Sequence, residues 1–214
     1  MPYVPSFTIE SGRGNEAAAI IDLVRQINDT TITPKIASIA AQWYGHRTCY
    51  GASGALTTGA LTANQHLAVP FFVQGSLSAD RIGLNVTTAG AAGKLLRLGI
   101  YDANAAGLPG ALLVDSGAIA ADTAAPFIAI ATIAYTLVPG PLYYLTVLTD
   151  GTPTVSVVTP VAAPYGFTAT GTAIDGASRP VVVRTETYAA LPVAFGTTGL
   201  TFGTTIPHTC VRAA

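Results

Sequence analysis

Two short runs carry residue types that bind sugars. Tyr101-Asp102-Ala103-Asn104 sets a ring beside a carboxylate and an amide, and Trp43-Tyr44 sets two rings side by side. An exposed ring stacks on the apolar face of a sugar, while Asp and Asn satisfy its hydroxyls. The competing reading is packing, because large aromatics mostly serve cores and interfaces. On that reading Tyr101 closes a strand end, and Tyr143 and Tyr144 pack on the inner and outer sides of one strand.

Other constellations are weaker. His46 near Cys49 and His208 near Cys210 compose a possible Cys2His2 zinc set. His208 and Cys210 would share one strand face, but His46 and Cys49 would not, and neither pair has zinc-finger spacing. Two reduced, buried thiols on neighbouring strands are expected instead, with no metal. Gly12-Arg13-Gly14-Asn15-Glu16-Ala17 mimics a dinucleotide fingerprint, yet no core strand precedes it and Thr and Pro follow its helix. The glutamates are Glu10, Glu16 and Glu186, and Asp102, Asp150 and Asp175 sit in turns or loops. There is no G-x-S-x-G elbow and no His-rich helix. A pair of carboxylates on facing strands stays open as glycosidase chemistry, but the expectation is a non-enzyme without a cofactor.

The elements that position these residues read as strands. Leu96, Leu98 and Ile100 alternate with Arg97, Gly99 and Tyr101, the period of a half-buried strand. Asp102, Asn104 and Gly107 carry turn chemistry, Pro109-Gly110 closes the loop, and Leu112 and Val114 restart the alternation. Phe127 to Leu148 carries no charge and superficially suits a membrane span. Pro139-Gly140-Pro141 interrupts it, and its Ile, Thr, Val and Tyr content predicts two strands and a turn. Val181 to Val183, Val193 to Phe195, Leu200 to Phe202 and Cys210 to Arg212 are further candidate strands, with long loops over 171–180 and 196–205.

Four of these segments carry a resemblance: HLAVPFFV (66–73), DRIGLNVTTAG (80–90), LRLGIYDANAAGLPGALLVDSG (96–117) and YTLVPGPLYYLTVLTDGTPTV (135–155). In this order they resemble a β-sandwich module of tailed-bacteriophage virion proteins, among them tail fibre, baseplate and head-fibre subunits. The resemblance covers roughly residues 50–158, about half the chain. It implies a sandwich fold and a place on a virion, and it says less about role, since one sandwich serves several positions.

The remaining N-terminal stretch predicts one helix over about 15–29. Asn15 caps it, Ala17 to Ala19 favour it and Asp22 suits its dipole; Asn28-Asp29-Thr30 and Pro34 stop it. Ile20, Leu23, Val24 and Ile27 form one apolar stripe. A helix this short is marginal alone, so the stripe must dock, on its own sandwich or on other subunits. For Ile36 to Trp43 a second short helix and an extended linker are both open.

Composition completes the reading. Of 214 residues, 10% are charged, against about a quarter in typical domains, and mean hydropathy is +0.49. The apolar surplus reads as subunit interface, with an Ala-rich surface as the plainer alternative. A net charge of -1 and no basic stripe exclude an electrostatic case for nucleic acid. No membrane insertion is expected, and MPYVPSF has neither the basic nor the apolar region of a signal peptide, so synthesis in the host cytoplasm is expected. The expected architecture is mainly β, an antiparallel, jelly-roll-like β-sandwich over 49–214 behind an attachment and oligomerisation segment, 1–48. The expected role is a non-enzymatic virion component, homotrimeric and in contact with other virion proteins. The alternative is a host-receptor or glycan-binding module at a fibre tip, through Tyr101, Asp102, Asn104, Trp43 and Tyr44.

Overall fold

Runs of β-branched and aromatic residues punctuated by Gly, Pro, Asn and Asp leave this chain little choice but strands and turns. The computed structural model describes residues 40–45, 56–123, 126–158 and 181–214. The chain divides into residues 1–35 and 36–214, and every described residue belongs to the second unit. The helix expected at 15–29, with Ile20, Leu23, Val24 and Ile27, lies outside the described residues, as do His46 and Cys49. So the expected pairing of the Cys49 and Cys210 strands also falls outside them.

Among the described residues there are fourteen strands and no helix. In chain order they are β1 (Trp43–Gly45), β2 (Leu56–Ala60), β3 (Gln65–Phe71), β4 (Leu77–Thr88), β5 (Leu95–Ala103), β6 (Pro109–Asp115) and β7 (Ile119–Ala120). Then come β8 (Phe127–Leu137), β9 (Tyr143–Thr149), β10 (Thr154–Val158), β11 (Val181–Thr185), β12 (Thr201–Gly203), β13 (Ile206–Pro207) and β14 (Thr209–Ala213). The uncharged stretch is indeed two strands, β8 and β9, with Gly140 at φ 105° in the turn between them. That φ lies where a side chain is strained and glycine is not.

All pairings are antiparallel, in two sheets. In the first, β4 pairs with β8 along one edge and with β14 and then β10 along the other; β1 pairs with β14, and β2 and β13 with β10. The second runs β12-β11-β3-β9-β5-β6, with β7 also on β5. Ile82, Leu84, Val86 and Val211 of the first sheet and Leu67, Val69, Leu98 and Val147 of the second build one core between them. The fold is an antiparallel β-sandwich.

Trp43–Gly45, within the 1–48 segment, is a strand of the first sheet, held by β14 through Trp43↔Arg212, Tyr44↔Val211 and Gly45↔Cys210. Tyr144 lies on the outer side of its strand, and it is nevertheless only 1% exposed. The second sheet has a second core on its far face, where Leu191 and Phe195 cover Ala68, Tyr101, Tyr144, Leu148 and Val182. Strand β9 is therefore buried along its whole length. Gly99 makes room for this cover: a Cβ there would fall 2.4 Å from Leu191 Cδ1.

Candidate functional site

The first run of sugar-type residues is consumed by the fold. Tyr101, on β5, is 0% exposed, and its hydroxyl donates to the Pro192 carbonyl at 2.8 Å. Burial raises its pKa. Asp102 Oδ1 accepts from Ala111 N–H across the hairpin. Asn104 Oδ1 accepts from Ala106 N–H at 2.8 Å and Leu108 N–H at 3.1 Å, and its carbonyl accepts from Gly107 N–H at 2.9 Å. Gly107, at φ 74°, takes the left-handed place that this turn requires. The Tyr144 hydroxyl donates to the Gly107 carbonyl, and burial pushes its pKa up to about 12. A ring with no exposed face offers a sugar nothing to stack on, so Tyr101 is a packing residue.

Trp43 and Tyr44 part company because neighbours on a strand point to opposite faces. Tyr44 turns inward against the main core. Trp43 turns outward and lies over Gly83: a Cβ on Gly83 would meet the far edge of the indole at 3.0 and 3.1 Å. Gly83 is opposite Cys210 on one side and Ile130 on the other. Its missing side chain is what lets the ring settle on the sheet.

From Trp43 the apolar surface continues to β8. That strand alternates cleanly: Ala129, Ile133 and Leu137 are buried, while Ile128 and Ile130 are 58% and 43% exposed. Around this strip stand paired polar groups. Arg212 grips Asp80 with two bonds, Nε donating at 2.9 Å, and Arg81 donates to Thr132 Oγ1. Asn85 Nδ2 donates to Ser156 Oγ at 2.8 Å, and the Ser78 and Thr136 hydroxyls share a bond of 3.0 Å. The Arg212 hydrogen bonds hold the Asp80 carboxyl below its ordinary pKa and raise that of Arg212. An apolar strip with a rim of satisfied polar pairs is the anatomy of a protein contact.

The opposite face of the molecule is closed by the chain itself. Asp115 accepts from Arg97 at 2.8 Å and from Leu191 N–H at 3.1 Å, which fastens the covering segment to β5 and β6. Arg184, salt-bridged to Glu186 at 2.8 Å, also donates to the Phe195 carbonyl. Beneath the cover lies His66, which the sequence reading did not single out. It is 0% exposed, neither ring nitrogen has a partner among the described residues, and its ring sits 4.5 Å from that of Phe195 and 5.6 Å from that of Tyr101. Desolvation, then the positive charge of Arg184, bring its pKa down to about 3. It is a neutral ring in an aromatic box.

Two further places could hold a ligand. His208, just before β14, and Cys210 on it bring their side chains together, with Sγ 3.6 Å from Nε2, but among the described residues no group of three or more His, Cys, Asp or Glu gathers. A cleft of about 320 Å³ opens between β2 and the β3-β11-β12 side, lined by Thr62, Gln65, Thr201, Phe202 and Thr205 among others, with no titratable side chain. Among the described residues no helix is long and apolar enough to cross a membrane.

No protein-family model and no curated protein matches the chain. Among solved structures, the chain is similar to the VP2 subviral particle of infectious bursal disease virus. Identity is 12% and the TM-score 0.27, over 79% of this chain and 39% of that one. T=1 particles derived from infectious bursal virus give 13% and 0.26, over 79% and 37%. The chain thus spans under two fifths of the length of these structures, and scores this low carry no argument about role.

Proposed function

We propose that this chain is a non-enzymatic structural component of a tailed-phage virion, a fibre, baseplate or head-fibre subunit. It is assembled in the host cytoplasm, resides in the particle and works through protein contacts, without cofactor, nucleic acid or membrane insertion. The observation that carries the reading is the asymmetry of the sandwich. The second sheet is covered by its own chain, while the first leaves Trp43, Ile130 and Ile128 on a face rimmed with satisfied polar pairs. Large apolar patches on soluble proteins mark contacts. The four-segment resemblance supports the phage assignment, and the described polar groups hold turns and strand pairs rather than a reacting centre.

The chain assembles as a homotrimer through Ile20, Leu23, Val24 and Ile27. Replacing Leu23 and Ile27 by Asp would place unpaired charges in that contact, each costing several kcal/mol. Sedimentation is expected to give a multiple of the trimer mass for the wild type and loss of that threefold assembly in the double variant, which also fails to enter particles. A monomeric wild type, or a double variant that incorporates normally, refutes the reading.

Trp43 favours a second reading, a glycan-binding module at a fibre tip. Its indole lies on the Gly83 seat beside hydroxyls and guanidinium groups, the equipment for stacking on a sugar. The two readings separate on Trp43→Ala. A receptor module loses glycan binding but still assembles, whereas a structural subunit loses particle contacts and shows no glycan binding to lose.

A further inference from the structure

Strand β8 is a free edge of the first sheet among the described residues, pairing with β4 and no other strand. An edge strand presents a row of open N–H and C=O groups, and natural proteins protect it with Lys, Pro, short length or a bulge. Over eleven residues β8 has no charge and no proline. Pro126 precedes it, and its register with β4 shifts between Ala79 and Arg81, where Ile133 and Ala134 stand across from Asp80 alone. Between these limits runs a straight, unguarded stretch, Phe127 to Thr132.

We propose that this stretch pairs antiparallel with the same stretch of a second copy, about a two-fold axis through Ala129, joining two first sheets into one. Directly opposed residues share a sheet face, so the axis must pass through a residue. At Ala129 it sets Ile128 against the second copy's Ile130, and Ile130 against its Ile128, gathering four isoleucines on the outer face. On the inner face Phe127 meets Ala131 and Ala129 meets Ala129, large against small. An axis through Ile130 would instead set Ile128 against Thr132. The strand is uncharged, so a second copy brings no like charge to the seam, and both exposed isoleucines are covered at once. The proposal does not rest on the virion reading or on the Ile20 to Ile27 stripe.

Cysteine pairing in the full-length chain tests the register. Opposed Cα atoms in such a ladder lie about 4.5–5.5 Å apart, within disulfide reach. The two copies of residue 128 would instead be about 8 Å apart, beyond it. Ile128→Cys and Ile130→Cys are each oxidised alone and as an equal mixture, with wild type as the background for Cys49 and Cys210. The mixture is expected to give a cross-linked dimer that neither variant gives alone. Ile130→Lys, at an exposed position, should halve the sedimenting mass while leaving the β circular dichroism unchanged. Cross-linking of either variant alone as strong as the mixture, or an unchanged mass for Ile130→Lys, overturns the proposal.

Discussion

Acid should loosen this fold through His66. Its folded pKa of about 3 lies below the ordinary 6.5, so the unfolded chain binds a proton that the folded chain refuses. The sign follows: above about pH 6.5 neither state is protonated and there is no effect, whereas below it stability falls, by about 1.4 kcal/mol per unit, until the folded ring titrates near pH 3. Between pH 7.5 and pH 4.5 the expected loss is about 2.7 kcal/mol, a large share of a typical folding free energy of about 5–15 kcal/mol. Carboxylates held low, such as Asp80, act in the same direction but in a lower window: their stabilisation is present above the ordinary carboxylate pKa and is lost only as pH falls below it. The window above pH 4.5 therefore isolates histidine. His66→Leu fills similar volume without two unpartnered nitrogens, each of which costs about 1–3 kcal/mol when buried. Urea unfolding at both pH values is the assay. The variant is expected to be at least as stable as wild type at pH 7.5 and to lose most of the pH dependence. A variant with the wild-type slope would show that the proton goes elsewhere and that the aromatic box does not hold a neutral ring.

Two other substitutions probe the cover and the rim. Gly99→Ala puts a methyl 2.4 Å from Leu191 and 3.0 Å from the Val114 carbonyl, and should destabilise by about 1–3 kcal/mol in urea unfolding; an unchanged midpoint would mean that Leu191 does not seat there. Asp80→Asn removes the partner of Arg212 at a solvent-accessible site and should leave the thermal midpoint where it was. A clear drop would show that the Asp80–Arg212 pair holds β4 to β14.

The sandwich was legible because period-2 alternation is local. Leu96, Leu98 and Ile100 do enter the core, Asn104 and Gly107 do build the turn, and Pro139-Gly140-Pro141 does divide two strands. The tail strands at 181, 201 and 209 lie within a residue or two of their expected places. Alternation, however, assigns residues to two faces without saying what covers each. Tyr101, Tyr144 and His66 fall on the second sheet's outer side, and they are buried because residues some forty or more positions beyond β9 fold back over them. That cover has no period of its own. Val193 to Phe195, expected as a strand, contributes a single bridge, Ala111↔Ala194, and otherwise serves as lid to the box. In the sequence, Val193 to Phe195 read as one more strand, and nothing marked it as a cover.

The same geometry divides the apolar surplus that composition left undivided. Part of it never reaches a partner: Leu191, Phe195, Tyr101 and Tyr144 bury one another in a second core, so a low charge fraction here reflects a doubly covered sheet. A strand buried on both faces has no positions to give to charged residues. Part of it does remain outside, with Leu56, Val138 and Val193 in separate places and Ile128 and Ile130 together on β8. Trp43, Ile128 and Ile130 share one face, and two of the three sit on β8, which among the described residues pairs with β4 alone. An apolar face and an open ladder at the same edge reinforce each other, because a strand added there makes main-chain bonds and buries isoleucine in one step. Single exposed apolar side chains need no explanation. Ile128 and Ile130, side by side on the outer face of an uncharged edge strand, are what turn composition into an argument for a partner.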